Sequence, residues 1–562
     1  MVKRILTFLN KEFHGVNEAA LMLGGFAFLS QLLGLIRDRT LAHVVGAGPM
    51  LDIYYAAFRI PDFLYISVAS LASVTVLMPF LVDKINADSE GKEKARKFIN
   101  NIFSAYMLFM IVISIVVAIF IPYIANYIAP GFRDEQLSLL ITTSRIMLLS
   151  PIFIGLSNLI GTITQLFKNF FIFSLSPIFY NIGILIGIIF IYPKFGVQGL
   201  AIGVVLGAVM HLSIQLPIII SHGFFPKIIS KINWKEVLDV IKLSAPRTLT
   251  LSCNSLAFIA LIAMASTIKE GSISLFTFAY NLQSVPVGII GISYSVAAFP
   301  VLVKSFSTKD IGAYTNYILN AARHIIFWSL PVIVLMIVLR AQIVRVVLGS
   351  NAFSWSDTRL TAASAALFVI SLTSQSLVLL LVRGYYAASN TKKPLIINIF
   401  SSFMIIVFAY FFIYVLGSNS NLMSSLEMLL RVYGVPGTMM LALPLAYACG
   451  SILNFFLIWF LFKRDFLKGQ SSKLFKTFIQ SFIGSVVMGM VSYFFLGIFD
   501  DVFNINTGYG IFFQGLFSGL IGIGSGVLVL HFMKNRELSD LIKTLSHKFW
   551  KNRVVAPEQR EL

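Results

Sequence analysis

Apolar residues run along this chain in blocks of about twenty or more, separated by short polar or basic connections, and that pattern predicts membrane-spanning helices. About fourteen blocks are long enough: roughly 19–45, 52–82, 98–128, 137–165, 171–192, 197–220, 237–268, 274–303, 315–347, 358–388, 393–417, 435–462, 474–497 and 508–533. Charge in the connections tests the count, because Lys and Arg collect in loops on the cytoplasmic side. One alternate set of connections holds Lys84, Lys92, Lys94, Arg96 and Lys97; Lys168; Lys227, Lys231 and Lys235; Lys304 and Lys309; Lys392 and Lys393; then Lys463, Arg464, Lys468, Lys473 and Lys476. The opposite set holds single basic residues at most, namely Arg133, Lys194, Lys269, Arg359 and Arg431. Arg340 and Arg345, near the outer end of the ninth block, are the exception. An even number of helices with both termini cytoplasmic is expected.

The expected fold class is therefore an all-α polytopic membrane protein. An echo between Met78-Pro79-Phe80-Leu81-Val82 and Phe299-Pro300-Val301-Leu302-Val303, with earlier prolines at Pro61 and Pro286, suggests a repeat of the kind that builds alternating-access transporters. It divides the chain into a lobe of six helices over 19–220, a second over 237–463, two further helices over 474–533 and a basic tail over 534–562. Residues 1–18, with Lys3, Arg4 and Lys11 but no signal-peptide core, read as an interfacial helix.

Composition changes little in this picture. Mean hydropathy is +0.86, 57% of residues are hydrophobic and 12% are charged. A soluble chain of this length carries about twice that charged fraction. The net charge of +19 lies mostly in the cytoplasmic loops and tail, where it serves topology and contact with anionic membrane lipids, so no nucleic-acid partner is called for. Trp550, among Lys548, Lys551 and Arg553, is placed to anchor the tail at the headgroups. Cys253 and Cys449 lie far apart in apolar segments and suggest neither a disulfide nor a thiolate metal site.

Candidate chemistry begins at Arg37-Asp38-Arg39, inside the first block. Each such side chain at a helix centre costs roughly 2.5–3.5 kcal/mol on insertion scales, so ionisable residues there usually face water, a partner charge or a substrate. Ser30, Gly34 and Arg37 share one helical face, whereas Arg39 is turned by about 200° from Arg37. Asp52, Tyr55, Arg59 and Asp62 form a stripe on the second block. With the first helix leaving the membrane near Gly46 and the second entering near Asp52, Arg37 and Arg59 both lie roughly 10–14 Å below the outer surface and are expected to share one cavity. Arg39 and Asp52 read equally well as interface anchors, whereas for Arg59 the cavity is favoured over simple pairing with Asp62.

The remaining polar positions are less specific. His211, Asn158, Gln165, Asn181, Gln215 and Gln375 occur singly in apolar blocks, where interhelical hydrogen bonding is the usual role. Asp239, with Lys242 and Arg247, is a weak candidate for a cation site. The Gly-x-Gly patterns lack strand context, and no Walker A sequence, zinc motif or redox pair is present. No cofactor is expected. An ion gradient or the membrane potential, rather than ATP, would supply any driving force.

The blocks Ser30-Gln-Leu-Leu-Gly34-Leu-Ile-Arg37-Asp38, Gly46-Ala-Gly48, Asp52 and Ala57-Phe58-Arg59-Ile-Pro61-Asp62 also carry a resemblance. They are similar to the S-R-x-x-G-x-x-R-D, G-A-G, D and A-F-[KR]-x-P-[ND] blocks of MurJ/MviN proteins, the lipid II flippases of the MOP superfamily. Ala129-Pro130-Gly131-Phe132, Phe299-Pro300 and Gly384-Tyr385-Tyr386-Ala387 through Thr391-x-x-Pro394 extend the likeness over nearly the whole chain. It implies fourteen helices around a central cavity, a groove on the last two helices for a polyprenyl tail, and cavity arginines that hold a pyrophosphate, a role suited to the planar guanidinium fork.

The chain departs from the family pattern where Gln31, Tyr65 and Asn281 replace expected arginines. The substrate-binding set that the resemblance and the residues together imply is Arg37, Asp38, Arg59, Ser30, Gln31, Gly34, Asp52, Tyr65 and Asn281. Lipid II is the expected partner, bound by a monomer that is not an enzyme. Another polyprenyl-pyrophosphate-linked sugar, a drug, or no cargo at all in a transport-inactive scaffold are the alternatives. A membrane glycosyltransferase fits least, since the first outer loop, Gly46 to Leu51, is short and Asp500-Asp501 stands without acidic partners.

Overall fold

The computed structural model describes residues 16–68, 74–86, 90–167, 169–467, 472–504 and 506–550. Among them every element is helical apart from one isolated bridge between Ser350 and Phe353. The longer helices are α1 (Val16–Val44), α2 (Pro49–Ser67), α3 (Val74–Asn86), α4 (Gly91–Ile128), α5 (Asp134–Met147), α6 (Leu149–Leu166), α7 (Phe170–Ile186), α8 (Val197–Ser213), α9 (Trp234–Ser266), α10 (Ser272–Pro286), α11 (Ser293–Ser307), α12 (Ile311–Val338), α13 (Trp355–Val369), α14 (Leu372–Ala387), α15 (Lys392–Ser418), α16 (Ala442–Phe462), α17 (Ser472–Asp500), α18 (Gly508–Phe532) and α19 (Arg536–Trp550).

Eleven helices among the described residues are long and apolar enough to cross a bilayer, or twelve if α13 and α14, bent by 44°, form one span. The count of about fourteen from sequence includes α1 and α2, which this tally leaves out. For α2 the reason is plain, because its nineteen residues carry Asp52, Arg59 and Asp62. The all-helical membrane fold otherwise follows the apolar blocks. Short breaks interrupt some of the spans without ending them. Thus α5 and α6 meet at Leu148 within one span, and α10 passes through a π-helical segment, Val287–Ile292, just after Pro286.

Two sequence expectations change. The connection after the eleventh block holds a further helix, Ser420–Leu430, whose first turn is capped by the Asn419 side chain. Arg340 and Arg345 follow the end of the ninth span rather than lying in it. Arg340 donates to the Ile337 carbonyl and Arg345 to that of Phe353, so both guanidiniums have local partners. The interfacial reading of residues 1–18 falls mostly outside the described residues, as does the end of the basic tail, and so does any anchoring by the Trp550 side chain.

The contacts divide the chain into two units. The first comprises residues up to Val285, Val344–Phe368 and Ser389–Asn454. Its tightest seam is between α7 and α8, where Gly183 rests on Gly207 and Gly187 on Gly203 so closely that a methyl group on any of them would strike backbone. Helix α1 packs in turn on α7. The second unit comprises Pro286–Ile343, Val369–Ala388 and the chain from Phe455. There α17 packs on α12 and α18, and a buried aromatic group of Tyr314, Tyr385 and Phe462 is tied down by Tyr314 Oη donating to the Gly384 carbonyl and Tyr385 Oη to Asp465, each at 2.9 Å. Helix α19 is pinned by buried Glu537, which meets Arg323 at 2.5 Å and accepts from Thr477 at 3.0 Å.

Candidate functional site

The charged residues of the first block separate by face, as helical geometry requires. Arg39 is exposed and donates to the carbonyls of Val346 and Val347. Arg37 points the other way, into the first unit, with about a quarter of its side chain exposed. Its Nε and Nη2 donate to one oxygen of Asp38 at 3.0 and 2.8 Å, and its Nη1 donates to Asn181 Oδ1 at 3.3 Å. The close α7–α8 seam holds Asn181 in place, and its own amide nitrogen is bonded back to the Pro177 carbonyl at 3.1 Å, which turns its oxygen toward Arg37.

Asp38 is almost fully buried and its second oxygen accepts from Asn281 Nδ2 at 2.9 Å. A buried carboxylate needs both a counter-charge and filled lone pairs. Arg37 supplies the first, and Asn281 on α10 helps with the second. Three of the five guanidinium donors of Arg37 are thus engaged, and the other two have no hydrogen-bond partner among the described residues. Beside it, a methyl group built on Gly34 meets no atom within 4 Å, so the face that Ser30, Gly34 and Arg37 share borders open space. Gln31 Oε1 is buried without a hydrogen-bond partner among the described residues, as is the hydroxyl of Tyr55 on α2.

Arg59 and Tyr65 on α2 have partners of their own. Arg59 donates from Nε to the Tyr55 carbonyl at 3.2 Å, and its guanidinium lies over the ring of Phe258, 4.7 Å from the centroid. It therefore has different partners from Arg37, and no ion pair joins it to Asp62 among the described residues. Tyr65 Oη accepts from Asn158 Nδ2 at 2.9 Å, which makes it part of an α2–α6 contact.

Asp52 does not face an open site. It is buried, and its two oxygens accept from the backbone N–H groups of Gly271 and Ser274 at 2.6 and 2.7 Å, at the start of α10. Those are donors that a helix leaves unpaired in its first turn, and a carboxylate also complements the helix dipole there. Asp52 is a cap supplied from another helix, with no oxygen left over for cargo.

Asp239 is exposed on α9, and no group of three or more His, Cys, Asp or Glu is placed to hold a metal ion among the described residues.

Most of the singly placed polar residues do bridge helices. His211 Nδ1 lies 2.7 Å from Ser157 Oγ, and Gln215 reaches Ser157 and Thr164. Gln375 bonds one turn back to Ser371 instead, and Gln165 makes no side-chain hydrogen bond among the described residues. Sequence reasoning missed Phe258 as the platform for Arg59, Asn181 as the partner of Arg37, and Gln283. The last is fully buried on α10, with both amide ends free of partners among the described residues. A lone Asn or Gln in an apolar helix signals a partner without naming it.

The arrangement can bind an anion with a fixed, oriented guanidinium whose carboxylate partner is Asp38. The family model described as lipid II flippase MurJ matches residues 41–513. A probable lipid II flippase MurJ of Buchnera aphidicola subsp. Schizaphis graminum is 29% identical over 395 residues, covering 69% of this chain and 76% of that protein. The lipid II flippase MurJ of Burkholderia cenocepacia is 24% identical over 390 residues, covering 68% and 75%.

Among solved structures, a lipid II flippase MurJ in an inward closed conformation aligns with a TM-score of 0.71 at 23% identity, covering 93% of this chain and all of that one. An inward-facing multidrug resistance MATE transporter of the MOP superfamily aligns at 0.62 and 17%, covering 82% and 99%. The chain is a multi-pass membrane protein with the fold of these transporters, and it belongs to the lipid II flippase MurJ family.

Proposed function

We propose that this protein moves lipid II from the inner to the outer leaflet of the bacterial cytoplasmic membrane, with Arg37 holding the pyrophosphate. The observation that carries the reading is the Arg37, Asp38, Asn181 and Asn281 cluster, which fixes one guanidinium and leaves two of its donors free. Family membership supports the cargo. Arg59, with its guanidinium over Phe258, and the neutral groups of Ser30, Gln31 and Tyr65 make up the rest of the binding surface, while Gly34 leaves room for it.

In this reading residues 19–220 and 237–463 act as two lobes that alternate access to the site, and 474–533 carries the polyprenyl tail. Both termini face the cytoplasm, a disposition supported by the basic loops. The protein works as a monomer among anionic lipids, driven by an ion gradient or the membrane potential.

Complementation of a flippase-deficient strain tests this. Rescue of growth, with loss of the lipid-linked precursor that accumulates on the cytoplasmic leaflet, is the expected result. Failure at normal membrane abundance would overturn it, and export of another polyprenyl-linked saccharide or a drug would then identify the cargo instead.

A further inference from the structure

Helix α4 is longer than a bilayer needs. Its 38 residues span roughly 57 Å, against a hydrocarbon core of about 30 Å, and its apolar stretch begins only at Ile102. Arg96 lies roughly 9 Å before that point, at headgroup level.

Here the first turns of α4 and the segment 223–230 enclose a cavity of about 500 Å³. Lys92, Arg96 and Asn100 line it from α4 at intervals of four residues, and Lys227 lines it from the opposite wall. The walls are fixed to each other. Asn100 Oδ1 accepts from the Lys227 backbone N–H at 2.8 Å, and Ser104 Oγ from that of Ile229 at 2.9 Å. Asn101 exchanges two bonds with the Asn233 backbone and donates to Glu236, which also pairs with Lys84 at 2.8 Å. The Lys92 ammonium sits 5.9 Å from the centroid of the buried Phe224 ring, at the mouth of the pocket.

Two carboxylates share the pocket. Glu93 is paired with Lys97 at 2.8 Å, and the lining as a whole carries four cations, Lys92, Arg96, Lys97 and Lys227, against the two carboxylates. The cavity is thus a net cationic recess with a rigid floor. Around it Phe225, Ile228 and Trp234 are more than half exposed, an apolar and aromatic rim suited to the membrane interface.

We propose that this pocket holds the phosphodiester of an anionic phospholipid headgroup. A phosphate oxygen accepts from the Arg96 fork and from the two ammonium groups, while the acyl chains leave past the exposed apolar rim into the bilayer. A soluble phosphate has the same oxygens but gains nothing from that rim, which is why the lipid is the occupant. Neither the site nor its test depends on the transported cargo.

Native mass spectrometry of the full chain in detergent, titrated with phosphatidylglycerol or phosphatidylcholine, reads the site directly. Phosphatidylglycerol should be retained in preference to phosphatidylcholine. The variant Lys92→Gln/Arg96→Gln/Lys227→Gln should lower that retention by about a hundredfold, at roughly a factor of five per cation near a membrane surface. A variant with as many cations removed elsewhere, Lys304→Gln/Lys392→Gln/Lys476→Gln, should retain the lipid, and Glu90→Gln should bind it more tightly.

Equal loss in the two triple variants would overturn the proposal, as would absence of headgroup preference. Displacement of the lipid by millimolar inorganic phosphate would mark a site for the free anion instead. All six mutated cations are exposed, so folding is expected to survive both sets.

Discussion

Arg37 and Asn281 grip opposite oxygens of Asp38, one from the neighbouring position in the chain and the other from a helix 243 residues away. Asn281 stands where the family pattern leads one to expect an arginine. In this chain Asp38 therefore answers to one guanidinium and one amide, and Arg37 carries both the counter-charge of the cluster and its open donors.

That sharing predicts an abundance phenotype for Arg37→Ala. Removing one partner of a buried pair strands the other charge, at a cost of about 3–5 kcal/mol. Arg37→Ala should fall in membrane abundance and melting temperature, and Arg37→Ala/Asp38→Asn should recover both. Equal abundance of the two variants would show that Asp38 does not depend on Arg37.

Asn281→Ala removes one hydrogen bond to a charged group, worth about 1.5–3 kcal/mol. The variant should fold with a lowered melting temperature, and additional loss of the Asp38 charge in Asn281→Ala/Asp38→Asn should add less than the separate effects sum to. Strict additivity would mean that the 2.9 Å contact carries no coupling.

At the start of α10, Asp52 accepts from two backbone N–H groups. Asp52→Ala leaves both unpaired, and loss of a helix cap costs about 1–2 kcal/mol. Asp52→Asn keeps one acceptor oxygen and should lie between wild type and alanine. Proteolysis near Lys269 reads the opening of this corner, and cleavage rates that do not follow the order wild type, asparagine, alanine would contradict the assignment as a cap.

In the second unit, Glu537 is the buried counter-charge of Arg323. Glu537→Ala should unseat α19 and expose residues beyond Lys534 to protease, whereas the exposed pair of Arg536 and Asp540 on the same helix can be neutralised with little effect. Equal protease sensitivity of the two variants would argue against a buried clamp.

Topology has its own test. Single cysteines at Asn421 and Asn506, both exposed, should react with an impermeant thiol reagent in intact cells, and ones at Ser230 and Ser307 should not. Reversed labelling would invert the membrane orientation and with it the direction of transport.

Much of the fold was legible because hydrophobic run length is a strong and local signal. The blocks located the helices, and the family motifs located Arg37 and Asp38. What the sequence left open was pairing at long range. Asp52 looked like a member of the Arg59 stripe, but its partners lie 219 and 222 residues away at the start of α10, and nothing local reports that contact. Spacing places Arg59 either in a cavity with Arg37 or beside Asp62, and neither reading names the Tyr55 carbonyl and the Phe258 ring that the structure offers it. The helix Ser420–Leu430 was hidden because it is too short to register as a span.

The central claim is that Arg37 holds the pyrophosphate of lipid II, and the leaflet distribution of lipid-linked precursor in flippase-depleted cells tests it most directly. The comparison needs wild type, Asp38→Asn and Arg37→Ala/Asp38→Asn at matched membrane abundance. Wild type should clear the precursor from the cytoplasmic leaflet, Asp38→Asn should clear it measurably, and the double variant should leave it in place. Clearance by the double variant at the wild-type rate would contradict the account.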